Sequence, residues 1–171
     1  MTQNYLRTAC TFLLLAGAAS AQTKNDALRN LNNEVLGLNG EMRRTDAGNH
    51  TVIRARAASV FGRRQTELAD LIKRDPADAL RMAFPEELLE ELAEQFPGAA
   101  LESRGKWKGP VESLVEDGIN GESREIFRLH ADGEVMEMHF AGVTPDFKCS
   151  DLVEASGVKA LGRVAVELAK V

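Results

Sequence analysis

Few residues in this chain are of a type and spacing that could do chemistry. His130 and His139 bracket Glu134 and Glu137, residue types that ligate zinc. Residues 124–140 also read as two strands around Asp132-Gly133, the dipeptide that suits a two-residue hairpin turn. That turn sets Leu129 opposite Met136, Phe127 opposite Met138 and Glu125 opposite Phe140 on one face. The other face pairs His130 with Val135, Arg128 with Glu137 and Ile126 with His139. The two histidines then stand about 13 Å apart at roughly 3.4 Å per residue, whereas nitrogens sharing a zinc lie ~3–4 Å apart. No metal site is expected, and both histidines are expected at the surface.

Cys149 beside Lys148 could favour a thiolate, because a neighbouring cation stabilises that form. Nothing around it marks a nucleophile, so a packed or half-buried cysteine is the expectation, with an intermolecular disulfide as the minor option. Trp107 lies between Lys106 and Lys108 and ahead of Gly109-Pro110. An aromatic ring between two cations suits a sugar ring or an extended chain, which makes this trio the candidate ligand contact; the competing reading has Trp107 plugging the space between the barrel and the last helix, with the lysines pointing outward. The glycines follow no phosphate-loop spacing. No catalytic residue and no cofactor are expected, and the chain is not expected to be an enzyme.

The elements that would position these residues fall into two halves. From 24 to 96 the apolar period is helical. Leu28, Leu31, Val35, Leu38 and Met42 form one stripe, and Thr45 to Asn49 breaks it with turn formers. Ile53, Ala57, Val60, Phe61, Leu68, Leu71 and Ile72 form a second stripe, with Arg54, Arg56, Arg63 and Arg64 on its polar flanks. The two should make an antiparallel helical hairpin. Its stripe is narrow, and Leu31, Val35 and Leu38 are the candidate face for docking a partner. Asp75-Pro76 restarts the helix with a cap and a first-turn proline. Phe84-Pro85 opens a last helix that buries Leu88, Leu89, Leu92 and Phe96; its Glu86, Glu87, Glu90, Glu91 and Glu94 read as a solvated face.

After Pro97-Gly98 the period becomes two. Strands are expected at 100–107, 111–116, 124–130, 135–140, 152–155 and 163–169, the first pair forming one bent strand or two sharing a bulge at Gly105 and Pro110. The inward set should be Phe127, Leu129, Met136, Met138, Phe140, Val164, Val166 and Leu168, with a loop or a single turn, not a full helix, over 141–150. The expected class is α+β: a helical region at 22–98, then a five-stranded OB-like antiparallel barrel at 99–171.

Residues 1–21 look like an export leader. Arg7 precedes the apolar run from Thr11 to Ala18, and Ala19-Ser20-Ala21 supplies the small-x-small cleavage pattern. Cys10 precedes the apolar run and so cannot be a lipidated mature N-terminus. Cleavage before Gln22 would leave Cys149 as the one thiol, excluding an internal disulfide framework. A periplasmic or extracellular location is expected. The chain of 171 residues carries 21 basic and 26 acidic residues, and neither half has the basic excess that phosphate backbones attract. Nucleic acid is therefore not an expected partner, nor is a membrane once the leader is removed.

Several runs resemble a known group. They are DPADALRMAFPEELLEEL from Asp75, Trp107-Lys108-Gly109-Pro110-Val111, Met138 to Gly142 with Pro145, Ser150 to Val153, and Gly157-Val158. Together they resemble the N-terminal region of large exported bacterial proteins that carry a gametolysin-like zinc peptidase or adhesion repeats further along. The H-E-x-x-H helix of that peptidase is absent from this sequence, so the resemblance implies a non-catalytic leader or accessory module. It would dock on a peptidase or adhesion domain, in the same chain or another. The alternative expectation is a stand-alone periplasmic module binding a small polar ligand, such as an oligosaccharide or peptide, near Trp107.

Overall fold

A computed structural model describes residues 5–117 and 123–171, with side chains described from Asn25 onward. The expected leader and its cleavage site lie outside the residues whose side chains are described. Among the described residues, helices α1 (Tyr5–Arg44), α2 (His50–Arg74), α3 (Pro76–Met82) and α4 (Glu86–Gln95) precede strands β1 (Ser103–Asp117), β2 (Ser123–Ala131), β3 (Glu134–Phe140), β4 (Leu152–Ala160) and β5 (Arg163–Lys170). The class is α+β.

The helical periodicity translates directly into packing. Leu31, Val35, Leu38 and Met42 of α1 meet Ile53, Ala57, Val60 and Phe61 of α2, and Leu89, Leu92 and Phe96 close the cluster from α4 and its end. Phe61 and Phe96 touch with ring centroids 5.3 Å apart. Asp75 caps α3 by accepting from the Asp78 N–H at 2.9 Å, and Pro76 occupies the first turn, where its missing N–H leaves no bond unmade. Most of the glutamates of α4 are solvated, but Glu91 turns to α1, accepting from Asn39 Nδ2 and Arg43 Nε at 2.7 Å each. These bonds hold its carboxyl below the usual carboxylate range, the Arg43 bond contributing most.

One expected flank residue departs from the pattern. Arg64 is wholly buried, not on a wet flank. Its guanidinium pairs with the buried Glu102 just ahead of β1, donates to Asn32 Oδ1 at 2.6 Å, and stacks 3.7 Å from the centroid of Phe84. Glu102 also accepts the Phe84 N–H at 2.9 Å. One ion pair thus ties α2, the α3–α4 junction and the entry to the sheet together. Arg104 adds to it by donating to Leu80 O and Phe84 O at 3.2 and 2.7 Å, satisfying carbonyls at the end of α3.

The strands run in the order β1-β2-β3-β5-β4, with β4 returning to β1, so the sheet closes on itself. The first strand is continuous: residues 103–110 pair with β4 and residues 111–117 with β2, the bend falling at Gly109-Pro110. A Cβ at Gly109 would sit 1.8 Å from His130 O, so the corner admits no larger residue. The sheet is mixed, which corrects the antiparallel expectation: β3 and β5 run parallel. Strand direction cannot alternate all the way round a closed ring of five, so one pair had to be parallel.

The hairpin has the expected register, from Ala131↔Glu134 through Leu129↔Met136 to Phe127↔Met138, about a turn in which Asp132 and Gly133 both have positive φ. The ladder ends there, short of the expected Glu125–Phe140 and Ile126–His139 pairs. Inside the sheet, Phe127, Leu129, Met136, Met138, Val164 and Val166 are buried as expected, with Phe140 packed at the margin. Leu168 is not: it is 64% exposed. Gly157 pairs with Val166 and Ser156 with Leu168, so Glu167 is an extra residue in β5, and the bulge turns Leu168 outward and Ala169 inward. The fourth strand also extends to Ala160, beyond the expected 155, because Gly157 sits within the bulged ladder and does not end it.

Residues 141–151 form a loop whose Phe147 plugs the sheet interior, 5.8 Å from Phe127 and 6.0 Å from Phe140 between ring centroids. The helices do not swing free. Leu68, Leu71 and Ile72 of α2 and Ala79 of α3 share a buried cluster with Val158, Ala160 and Ala165 on the outer face of β4 and β5. Arg163 adds an ion pair to Asp70 at 3.1 Å.

Candidate functional site

The residues singled out from sequence do not assemble into a site. Trp107 is 8% exposed and packs in the sheet interior, while Lys106 and Lys108 project from the other side of the same strand into solvent. The ring and the cations therefore do not share a face; the lysines point outward as the competing reading had it, but Trp107 packs with strand residues and Phe147 inside the sheet and not against the last helix. Leu31, Val35 and Leu38 are covered by α2 and α4, which corrects the expectation of a free docking stripe: the partner helices come from the chain itself. Cys149 is exposed, not packed. His130 is at the surface, 3.4 Å from Glu112 Oε2. Among the described residues no group of His, Cys, Asp and Glu could hold a metal ion.

His139 is the informative exception. It was expected on a wet outer face, yet it is 6% exposed, because α2 and α3 lie over this side of the sheet. Its Nε2 stands 2.9 Å from Glu137 Oε1 but out of line, so this buried nitrogen has no hydrogen-bond partner. Glu137 thus turns toward His139, though the register sets it opposite Arg128. Burial pushes the His139 imidazole below its ordinary pKa; Glu137 opposes this, while Arg124, Arg163 and Lys73 reinforce it.

His139 lines a cleft of about 360 Å³. Lys73, at the end of α2, and Pro76, opening α3, form one wall; Arg124, Glu125 and Phe127 of β2 form another. Met138 and Phe140 of β3 complete it with Thr144 of the following loop. Its position follows from the fold: the β2–β3 ladder stops at Phe127↔Met138, and residues just beyond that pair on both strands line the opening. The arrangement offers a mixed polar and apolar surface, two cations and one carboxylate. It offers no nucleophile paired with a base. Sequence reasoning missed Lys73 and Arg124, which are 51 positions apart and share no local pattern.

A second groove of about 420 Å³ lies between α1 and α2, lined by Leu31, Glu34, Arg63 and Thr66 among others. Among the described residues no helix is long and apolar enough to cross a membrane. Comparison with protein-family models, with curated proteins and with solved structures finds no match to this chain.

Proposed function

We propose that this chain is an exported, non-catalytic module with an OB-like barrel that binds a small polar ligand in the cleft between α2–α3 and strands β2–β3. The observation that carries the reading is that cleft, which brings charged and apolar side chains together at a seam between layers, where small-molecule sites are found. The strand order supports the OB-like description, and in such barrels the second and third strands supply the binding face. The leader pattern of residues 1–21 supports export. The competing reading, an accessory module docking on a peptidase or adhesion domain, drew on the resemblance and took Leu31, Val35 and Leu38 as its docking face, and these three are buried in the chain's own core. Making them polar would unfold the helical layer, and Trp107→Ala would hollow the sheet interior, so neither change separates the two readings.

Thermal-shift measurements on the purified protein make the separation. The panel holds amino acids, short peptides, oligosaccharides and small organic acids, tested against the native chain and Thr144→Trp. Thr144 is exposed at the cleft mouth, so the larger side chain blocks entry without disturbing the core. At least one ligand class should raise Tm of the native protein and not of the variant. Equal shifts in both proteins, or none with any class, would refute the reading.

A further inference from the structure

Two side chains of the cleft carry charge without counter-charge. Among the described residues, neither Lys73 nor Arg124 has a carboxylate oxygen within 4.0 Å. The nearby Arg163 is different, being held by Asp70 at 3.1 Å. Glu125, the one carboxylate of the lining, already accepts the Ser113 hydroxyl at 2.5 Å. Lys73 and Arg124 line the same cleft, together with His139. Phe127, Phe140 and Pro76 supply apolar side chains to the same lining.

We propose that the cleft binds a small organic carboxylate with an apolar body, its charged end held between Lys73 and Arg124 and its body laid against Phe140, Phe127 and Pro76. The inference rests on the binding reading above and names its ligand class. A guanidinium fork matches the planar carboxylate, and the apolar side chains of the lining offer a ligand's body a contact that a bare inorganic anion does not use. A volume of about 360 Å³ suits a ligand at the small end of the usual range. His139 lies beneath the site and reports on it. The charged groups facing it are Glu137 on its own strand, Arg124 on β2, Arg163 on β5 and Lys73 on α2. An anion seated between two of these cations offsets their repulsion of an imidazolium, so ligand binding and protonation of His139 favour each other.

The test is a ¹H–¹⁵N titration of the labelled protein with benzoate, alongside benzyl alcohol and benzamidine as its uncharged and cationic counterparts. Benzoate should give saturable shifts at Arg124, His139 and Thr144 and should raise the titration midpoint of the His139 ring. Lys73→Ala and Arg124→Ala, both at exposed positions that leave the fold intact, should each weaken benzoate about tenfold or more. If benzyl alcohol or benzamidine binds as well as benzoate, the carboxylate assignment fails while the cleft remains a ligand site. If none of the three binds, the assignment fails, and the wider panel with Thr144→Trp decides the binding reading separately. An unmoved His139 midpoint on benzoate saturation also overturns the assignment, because it places the anion elsewhere.

Discussion

Replacing Arg64 with methionine removes the cation from the one ion pair that is fully enclosed among the described residues. Both partners are buried, with Arg64 0% and Glu102 3% exposed. Glu102 would lose two guanidinium bonds and keep only the Phe84 N–H at 2.9 Å, leaving a carboxylate out of water with one donor. Asn32 would lose its partner at 2.6 Å, and the Phe84 ring its stacked cation. Breaking a buried pair from one side costs about 3–5 kcal/mol. For a chain of this size that is a fall in Tm of roughly 6–20 °C. The double variant Arg64→Met with Glu102→Leu behaves differently: it removes both charges at similar volume, and such replacements are often neutral or stabilising. Urea unfolding followed by circular dichroism and Trp107 fluorescence would measure all three proteins, the second single variant being Glu102→Leu. The double variant should recover most of either single loss, which keeps the test open even if a single variant fails to fold. A loss under about 1 kcal/mol for Arg64→Met, or losses that simply add, would refute the idea that the pair holds the helices to the sheet.

Two further outcomes can be measured on the same protein. Gly109→Ala forces a Cβ to within 1.8 Å of a backbone carbonyl, so it should lower stability by more than about 1 kcal/mol and shift the urea midpoint, whereas an unchanged midpoint would mean the β1 corner is looser than described. His139 titrates below its ordinary value because it is buried, so between its folded value and about 6.5 the unfolded chain binds more protons; stability contributed by the neutral ring is present above about pH 6.5 and lost as pH falls through the folded value. Urea midpoints from pH 7.5 to 5 should slope downward in the native protein and flatten in His139→Gln, and equal slopes would remove His139 as the source.

What was legible in the sequence was whatever repeats locally. The stripes of α1 and α2 recur every three to four residues, and each named position is buried where the period put it. The Asp132-Gly133 turn determined a register, and the register determined which of Phe127, Leu129, Met136 and Met138 face inward. Leu168 escaped because parity holds only along an unbroken ladder: one extra residue at Glu167 reverses every side chain after it, and a bulge has no signature in a run of alternating residues. The parallel β3–β5 pair was implied by closure itself, since an odd ring must contain one.

The site was illegible for a different reason. Arg64 and His139 each sit in a pattern that reads as solvated: an arginine among four on a helix flank, and a histidine on the polar side of a hairpin. Alternation along a strand specifies two faces but not what covers the second one. Here α2 and α3 lie over the outer face of the sheet, turning an exposed side into an interface. Polar residues on such a face must find a partner or stay unpaired. Arg64 found Glu102, 38 residues away, and became part of the fold's framework. Among the described residues His139 has only a misaligned Glu137, and Lys73 and Arg124, unpaired among those residues, arrive from α2 and β2 at the point where the ladder stops. The same covering of a polar face therefore yields a structural bond in one place and an unsatisfied, charge-lined cleft in the other. The second outcome is the one that leaves room for a ligand.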